Sequence, residues 1–239
     1  MKLKNSLVCG ALLLSMLAGG ATQVFADGQT YPDSEHAKTT GSIDFKEDNE
    51  VVDPVDPTDP EKPVDPTDPT NPNGAELMLI YASNFKFGEQ EKLGNEWNAV
   101  GDLMKDGTYL TPFVSTKDSR GTDRKGWTLT AALSKGFKDK DGNALEGAEL
   151  ELSNMFYSDK INGAPTAKAG VVTLSDVAQE VASADSEKGI GVWSLGLGEL
   201  NGTDEKATTN GVTLKVPTTS SKNSTTYSAE ITWELTAAP

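Results

Sequence analysis

From Ala75 to Pro239 apolar residues recur at every second position or in short unbroken runs, separated by turn residues. The runs are Leu77 to Tyr81, Thr108 to Val114, Trp127 to Leu133, Ala148 to Leu152, Val171 to Leu174, Ile190 to Leu197, Val212 to Val216 and Thr226 to Leu235. A period of two puts alternate side chains on one face of a strand, so each run predicts a strand with a buried side. Asp106-Gly107, Asp141-Gly142, Asn162-Gly163, Asn201-Gly202 and Asn210-Gly211 lie between them, and such pairs reach the backbone conformations of tight turns. Short strands with this turn chemistry predict an all-β domain, an antiparallel β-sandwich or a barrel-like closure, over residues 75–239. Residues 175–186 read two ways: Val177 and Val181 are spaced as on a helix face, but both are β-branched and suit a strand equally.

The pattern changes upstream of Ala75. Residues 1–26 carry Lys2 and Lys4, an apolar run from Leu7 to Leu17 and then Val24-Phe25-Ala26, which predicts a secretory signal peptide cleaved after Ala26. That run is short for a bilayer and no later one is longer, so the mature protein is expected to have no membrane span. Cys9 precedes most of the apolar region, the wrong order for a lipid-modified cleavage site. Cleavage also removes the only cysteine, and with it any disulfide or thiolate chemistry.

Residues 27–50 are polar except for Ser42-Ile43-Asp44-Phe45, which alternates like one short strand. In residues 51–74, Pro54, Pro57, Pro60, Pro63, Pro66, Pro69 and Pro72 fall at every third position. Polyproline II turns once per three residues, which aligns these prolines on one edge of an extended helix without internal hydrogen bonds. With aspartates repelling one another between them, the tract predicts a semi-rigid spacer on the order of 60 Å long. A ligand for a proline-binding module is the other use of such a tract.

Charge narrows the partners. The chain carries 36 acidic against 21 basic residues, a net charge of −15, and loss of Lys2 and Lys4 makes the mature protein more acidic still. A surface of that sign repels polyanions, so nucleic acid is not an expected partner. Anionic polymers outside the cell are repelled too, so contact with one needs specific groups or a local basic patch, for which Arg120, Arg124 and Lys125 are the candidates.

Catalytic chemistry finds little support. His36 is the only histidine and lies in the polar N-terminal stretch, so the β domain has no Ser/His/Asp triad and no histidine metal site. Ser83-Asn84-Phe85-Lys86 fits a Ser-x-x-Lys pattern but lacks its Lys-Thr-Gly partner. Asp139-Lys140-Asp141-Gly142-Asn143 hints at a calcium loop, yet its glycine is one place early and no closing glutamate follows. No motif selects a carboxylate pair for glycoside hydrolysis. The expectation is a protein that is not an enzyme and needs no metal or cofactor.

The tryptophans carry more information. Trp127-Thr128-Leu129, Trp193-Ser194-Leu195 and Trp233-Glu234-Leu235 each place Trp and Leu two apart, on one face of a strand. Packing in a sandwich core is one reading of these pairs, and an aromatic surface that stacks on sugars or on a protein partner is the other.

The terminal segment from Tyr227 to Pro239 contains Tyr227, then Ile231-Thr232-Trp233-Glu234-Leu235, then Pro239. It resembles the distal motif of the WxL-domain surface proteins: a tyrosine, an aliphatic residue, Thr-Trp-x-Leu, and a proline. Arg120-Gly121-Thr122 followed by Gly126-Trp127-Thr128-Leu129-Thr130 is similar to the proximal motif of that family. The third pair, Trp193 and Leu195, stands outside the pattern. The resemblance implies a small surface protein of low-GC Gram-positive bacteria, attached non-covalently to peptidoglycan through a domain spanning 75–239. It also implies work alongside other WxL proteins and wall-associated partners in complexes linked to adhesion. Trp127, Leu129, Tyr227, Trp233, Leu235, Arg120 and Arg124 are then the residues expected to bind wall or partner. A structural interaction subunit, held at the wall by partner proteins rather than by glycan, is the alternative.

Overall fold

The computed structural model describes residues 30–239; the expected signal peptide, with Lys2, Lys4 and Cys9, lies outside the described residues. The chain divides into a unit ending at Lys46 and a unit from Glu47 to Pro239. In the described part of the first, Thr30 and Lys38 form one antiparallel bridge, and the His36 ring nitrogen lies 2.6 Å from the Asp33 carboxylate. The expected strand at Ser42 to Phe45 does not form: Ile43 is 74% and Phe45 87% exposed.

Among the described residues, Glu47–Pro239 is all β. Its strands begin with β1 (Val55–Asp56), β2 (Asp59–Pro63), β3 (Leu77–Ala82), β4 (Glu96–Val100), β5 (Asp102–Leu103) and β6 (Tyr109–Leu110). Next come β7 (Phe113–Asp118), β8 (Trp127–Lys138), β9 (Glu149–Leu152), β10 (Met155–Phe156) and β11 (Thr166–Ala167). The series ends with β12 (Val172–Leu174), β13 (Gln179–Ala184), β14 (Gly191–Leu197), β15 (Thr208–Lys215) and β16 (Ser228–Ala237). Residues 179–184, which the sequence left between helix and strand, are strand. No helix of the described residues is long and apolar enough to cross a membrane.

Three antiparallel four-stranded sheets carry the fold, ordered β10-β14-β7-β3, β11-β13-β8-β16 and β12-β9-β15-β4. Alternation explains how they meet. Val114, Leu195 and Leu197 of the first sheet, Trp127, Leu129, Ala131 and Val181 of the second, and Leu150, Leu152 and Val212 of the third share one buried cluster. Most are wholly inaccessible, so the sandwich predicted from the sequence closes as three sheets around a single core.

The first sheet is buried on its other face as well, and here the structure departs from the sequence reading. Residues 51–74 are not a free spacer but a strap laid along this sheet. β1 and β2 form a hairpin, with Val55 8% and Val64 9% exposed, and Val64 packs with Met78, Ile80, Met104 and Phe113. The strap is held by its carbonyls. Ser194 Oγ donates to Val55 O at 2.6 Å, Ser158 Oγ to Thr58 O at 3.0 Å and Lys105 N to Asp65 O at 2.8 Å. Farther along, the Asn71 backbone N–H donates to Ile80 O at 2.8 Å. At its start, the buried Lys117 ammonium donates to Asp48 O and Glu50 O and pairs with the Asp48 carboxylate at 2.9 Å. Proline lacks a donor but keeps its acceptor, so a proline-rich segment docks wherever the surface supplies the N–H and O–H groups. The folded domain therefore begins near Glu47 rather than at Ala75.

Candidate functional site

The two Trp-x-Leu motifs, far apart in sequence, lie on neighbouring strands. β16 pairs antiparallel with β8, setting Ala237 opposite Trp127, Leu235 opposite Leu129 and Trp233 opposite Ala131. Directly opposed residues share a face, so Trp127, Leu129, Trp233 and Leu235 all point into the core side of the sheet. Trp127 is 1% exposed and Leu129 is inaccessible. Trp233 and Leu235 are half-buried because β16 is the sheet's last strand, and the Trp233 ring meets Phe85 edge-on, centroids 6.4 Å apart. These side chains pack; no open tryptophan surface is built from them.

Trp127 shows how tightly. Its indole N–H is buried without an acceptor, and Gly189, at a φ of 71°, sits against it so closely that a Cβ there would lie 3.0 Å from that nitrogen. Gly126 takes a φ of 101°, and a Cβ on it would run into the Ala184 carbonyl. Glycine is the residue that tolerates both demands, which accounts for the Gly-Trp start of the proximal motif.

The arginines are clamps, which corrects the expectation of a free basic approach. Arg120 makes a bidentate pair with Asp118, Nε to Oδ1 at 2.9 Å and a terminal nitrogen to Oδ2 at 2.8 Å, and also donates to Gly126 O at 2.9 Å. The Asp118 side chain is wholly buried, and its hydrogen bond to Arg120 raises the guanidinium pKa further. Arg124, 5% exposed at its side chain, donates to Lys188 O at 2.9 Å and stands 3.9 Å from Asp118. The Gly126 carbonyl also accepts the Ala238 N–H at 3.0 Å. One carbonyl thus ties the loop before the proximal motif to the end of the distal one.

Tyr227 sits just before β16 against Leu145, Leu214 and Val216, and its hydroxyl accepts the Asn223 N–H at 2.9 Å. Asn223 in turn donates to Asp139, whose carboxylate also takes the Asn143 side chain and the N–H groups of Asp141 and Asn143. The hydrogen bonds from Asn143 and then Asn223 lower the Asp139 pKa to about 2. The segment that hinted at a calcium loop is therefore a turn closed on itself. Ser83 is likewise occupied, donating to the buried Asp102 at 2.6 Å beside Tyr81, while Lys86 pairs with Asp68 at 3.5 Å. Trp193 is buried with its indole on Ile190 O at 2.9 Å.

The sequence alternation sets Thr232, Glu234 and Thr236 on the face opposite Trp233 and Leu235, but that face is not counted among the expected site residues. Cross-strand pairing aligns Ser183, Thr128 and Thr236 in one row and Glu180, Thr130 and Glu234 in the next, with Thr232 opposite Ala132. Glu180, Thr232, Glu234 and Thr236 are exposed, and Thr128, Thr130 and Ser183 are half-buried. The middle residue of each Trp-x-Leu motif, Thr128 and Glu234, belongs to this open polar face. Alternation alone signals it: whatever separates two inward residues faces outward.

Two Trp-x-Leu strands, side by side in one sheet and locked at both ends, define a β domain built on its motif pair. Residues 32–239 match the family model for the WxL domain, a surface cell wall-binding domain, and the chain belongs to that family. Membership places it at the cell wall and cell surface. No curated protein and no solved structure matches the chain.

Proposed function

We propose that this chain is an exported, non-catalytic surface protein that holds non-covalently to peptidoglycan through the outer face of the β11-β13-β8-β16 sheet, as part of a surface complex in adhesion. The observation that carries the reading is the orientation of the motifs. Their Trp and Leu side chains are spent on the core, while Thr128, Thr130, Thr232, Glu234 and Thr236 stand in register on a rigid face. Hydroxyls and carboxylates about 4.8 Å apart across strands match a polymer rich in hydroxyl and amide groups, which they meet by hydrogen bonding rather than by net charge. That suits an acidic protein facing an anionic wall. Sedimentation with purified, protein-free peptidoglycan tests it: the protein goes to the pellet if contact is direct.

A second reading, a subunit held at the wall by partner proteins, is favoured by the position of β16 at the edge of its sheet. It predicts retention on native walls that disappears once wall proteins are stripped.

A further inference from the structure

The geometry points to the free edge of β16 as a docking site for an extended, basic segment of another protein, which adds to this sheet as a fifth strand. This does not rest on direct glycan contact; it concerns the main chain of the distal motif.

The phase of the β8–β16 ladder decides which groups are free. In an antiparallel pair, successive residues turn their N–H and C=O alternately toward the partner and away from it. Ala238 donates to Gly126, so Thr236, Glu234 and Thr232 also bond to β8, and Ile231, Trp233, Leu235 and Ala237 turn outward. The opposing strand agrees: Leu133, partner of Ile231, sends its N–H away from β16 to Ser175 O at 2.7 Å. Among the described residues no strand pairs with the outer edge of β16. The Trp and Leu that fill the core with their side chains therefore offer their backbone groups to whatever lies beside the sheet.

Other edges of these sheets are blunted. β10, β11 and β12 are two or three residues long, β4 five, and β3 six with the carbonyls of Leu79 and Ile80 taken by Asn71. β16 runs for ten residues, and from Ile231 to Ala237 it has no proline, lysine or bulge, the usual protections of an exposed edge. Strand addition needs a bare edge and side-chain complementarity. Complementarity selects the occupant. The exposed side-chain face of β16 carries Glu230 and Glu234 and no cation of its own; Glu230 is met by Lys135, whereas Glu234 stands opposite Thr130. A second copy of a chain with net charge −15 brings more carboxylate to this edge, and a strand with lysine or arginine at alternate positions relieves it.

Hydrogen exchange on the protein from Asp27 onward, read amide by amide, tests the inference without wall material. In the free protein at low concentration, the amides of Ile231, Trp233, Leu235 and Ala237 should exchange fast and those of Thr232, Glu234 and Thr236 slowly. A set of ten-residue peptides alternating valine or isoleucine with lysine and threonine should slow the four outward amides by about tenfold or more, and the same peptides with glutamate for lysine should not. Glu234→Lys, which changes only a side chain on the exposed face and keeps the backbone bonds to β8, should reverse that preference. Ala237→Pro, which removes an outward N–H and no ladder bond, should weaken the effect with the fold intact. Protection of the four amides in the dilute free protein, protection that rises with protein concentration alone, or no response to any lysine peptide would each overturn the inference.

Discussion

Leu129 of β8 and Leu235 of β16 stand directly opposite one another in the antiparallel ladder, each the last residue of its Trp-x-Leu motif. The two motifs are thus one structural element, a strand pair whose inward face completes the core and whose outward face is polar.

Trp127 is the larger anchor of that pair. Trp127→Ala should cost roughly 3 to 5 kcal/mol, a substantial part of the ~5 to 15 kcal/mol that holds a domain together, and leave the protein marginal. Trp127→Phe should cost less, because the buried indole N–H has no acceptor to lose. Urea unfolding of both variants measures the difference, and equal losses would mean that the indole nitrogen matters.

Arg120→Ala takes the bidentate partner from the buried Asp118 carboxylate and leaves it the residue-120 N–H and Arg124 at 3.9 Å, a loss of about 3 kcal/mol, at the low end for a broken buried pair. Arg120→Lys should recover little, since a lysine cannot make the bidentate pair and also reach Gly126 O. Removing Asp118 as well should restore part of the stability. If the Arg120 variant instead keeps its thermal midpoint but leaves the wall, the arginine is a contact and not a clamp.

The strap contributes to folding rather than reach. Deleting Asp53 to Pro69 uncovers Met78, Ile80 and Phe113 and removes the buried Val55 and Val64, each valine worth roughly 1.5 to 3 kcal/mol. The thermal midpoint should fall by several degrees or more at about 2 to 4 °C per kcal/mol. Val64→Asp, which leaves the length unchanged, should lower it too. An unchanged midpoint in both would restore the free spacer.

Acid should loosen the turn beneath Tyr227. The Asp139 pKa in the fold, about 2, lies below its ordinary 3.8, so its contribution is complete above pH ~4 and is lost as pH falls toward 2. Asp139→Asn should lower stability at neutral pH and flatten this part of the acid limb. Thermal melts from pH 2 to 7 on the two proteins give the comparison.

How much of this was legible depends on which physical signal each part leaves. β8, β9, β15 and β16 follow from alternating runs because each has one face in a core, and β3 and β14 from denser apolar runs because their sheet is covered on both faces. β7 shares only Phe113 and Val114 with the run at Thr108 to Val114 and continues through buried polar residues. β4 leaves little trace, since only Trp97 and Ala99 alternate among polar neighbours. The strap was misread because prolines at every third position suit a free helix as well as a docked one, and only Val55 and Val64 hint at burial. At the site, the shared face of Trp233 and Leu235 could be read from spacing, but not their pairing with Leu129, which joins distant strands. Asp118 looks like any of 36 acids until the fold buries it, so Arg120 and Arg124 passed for a surface patch.

The fraction of folded protein that sediments with purified, protein-free peptidoglycan tests the central claim most directly, measured on the parent, Trp233→Phe and the Thr128→Val/Thr236→Val double variant. Trp233 packs inward against Phe85, and the threonines face out. The account predicts that the parent and Trp233→Phe sediment alike while the threonine variant, with its thermal midpoint kept, stays in the supernatant. A folded Trp233→Phe protein that no longer sediments, with the threonine variant still bound, would contradict it.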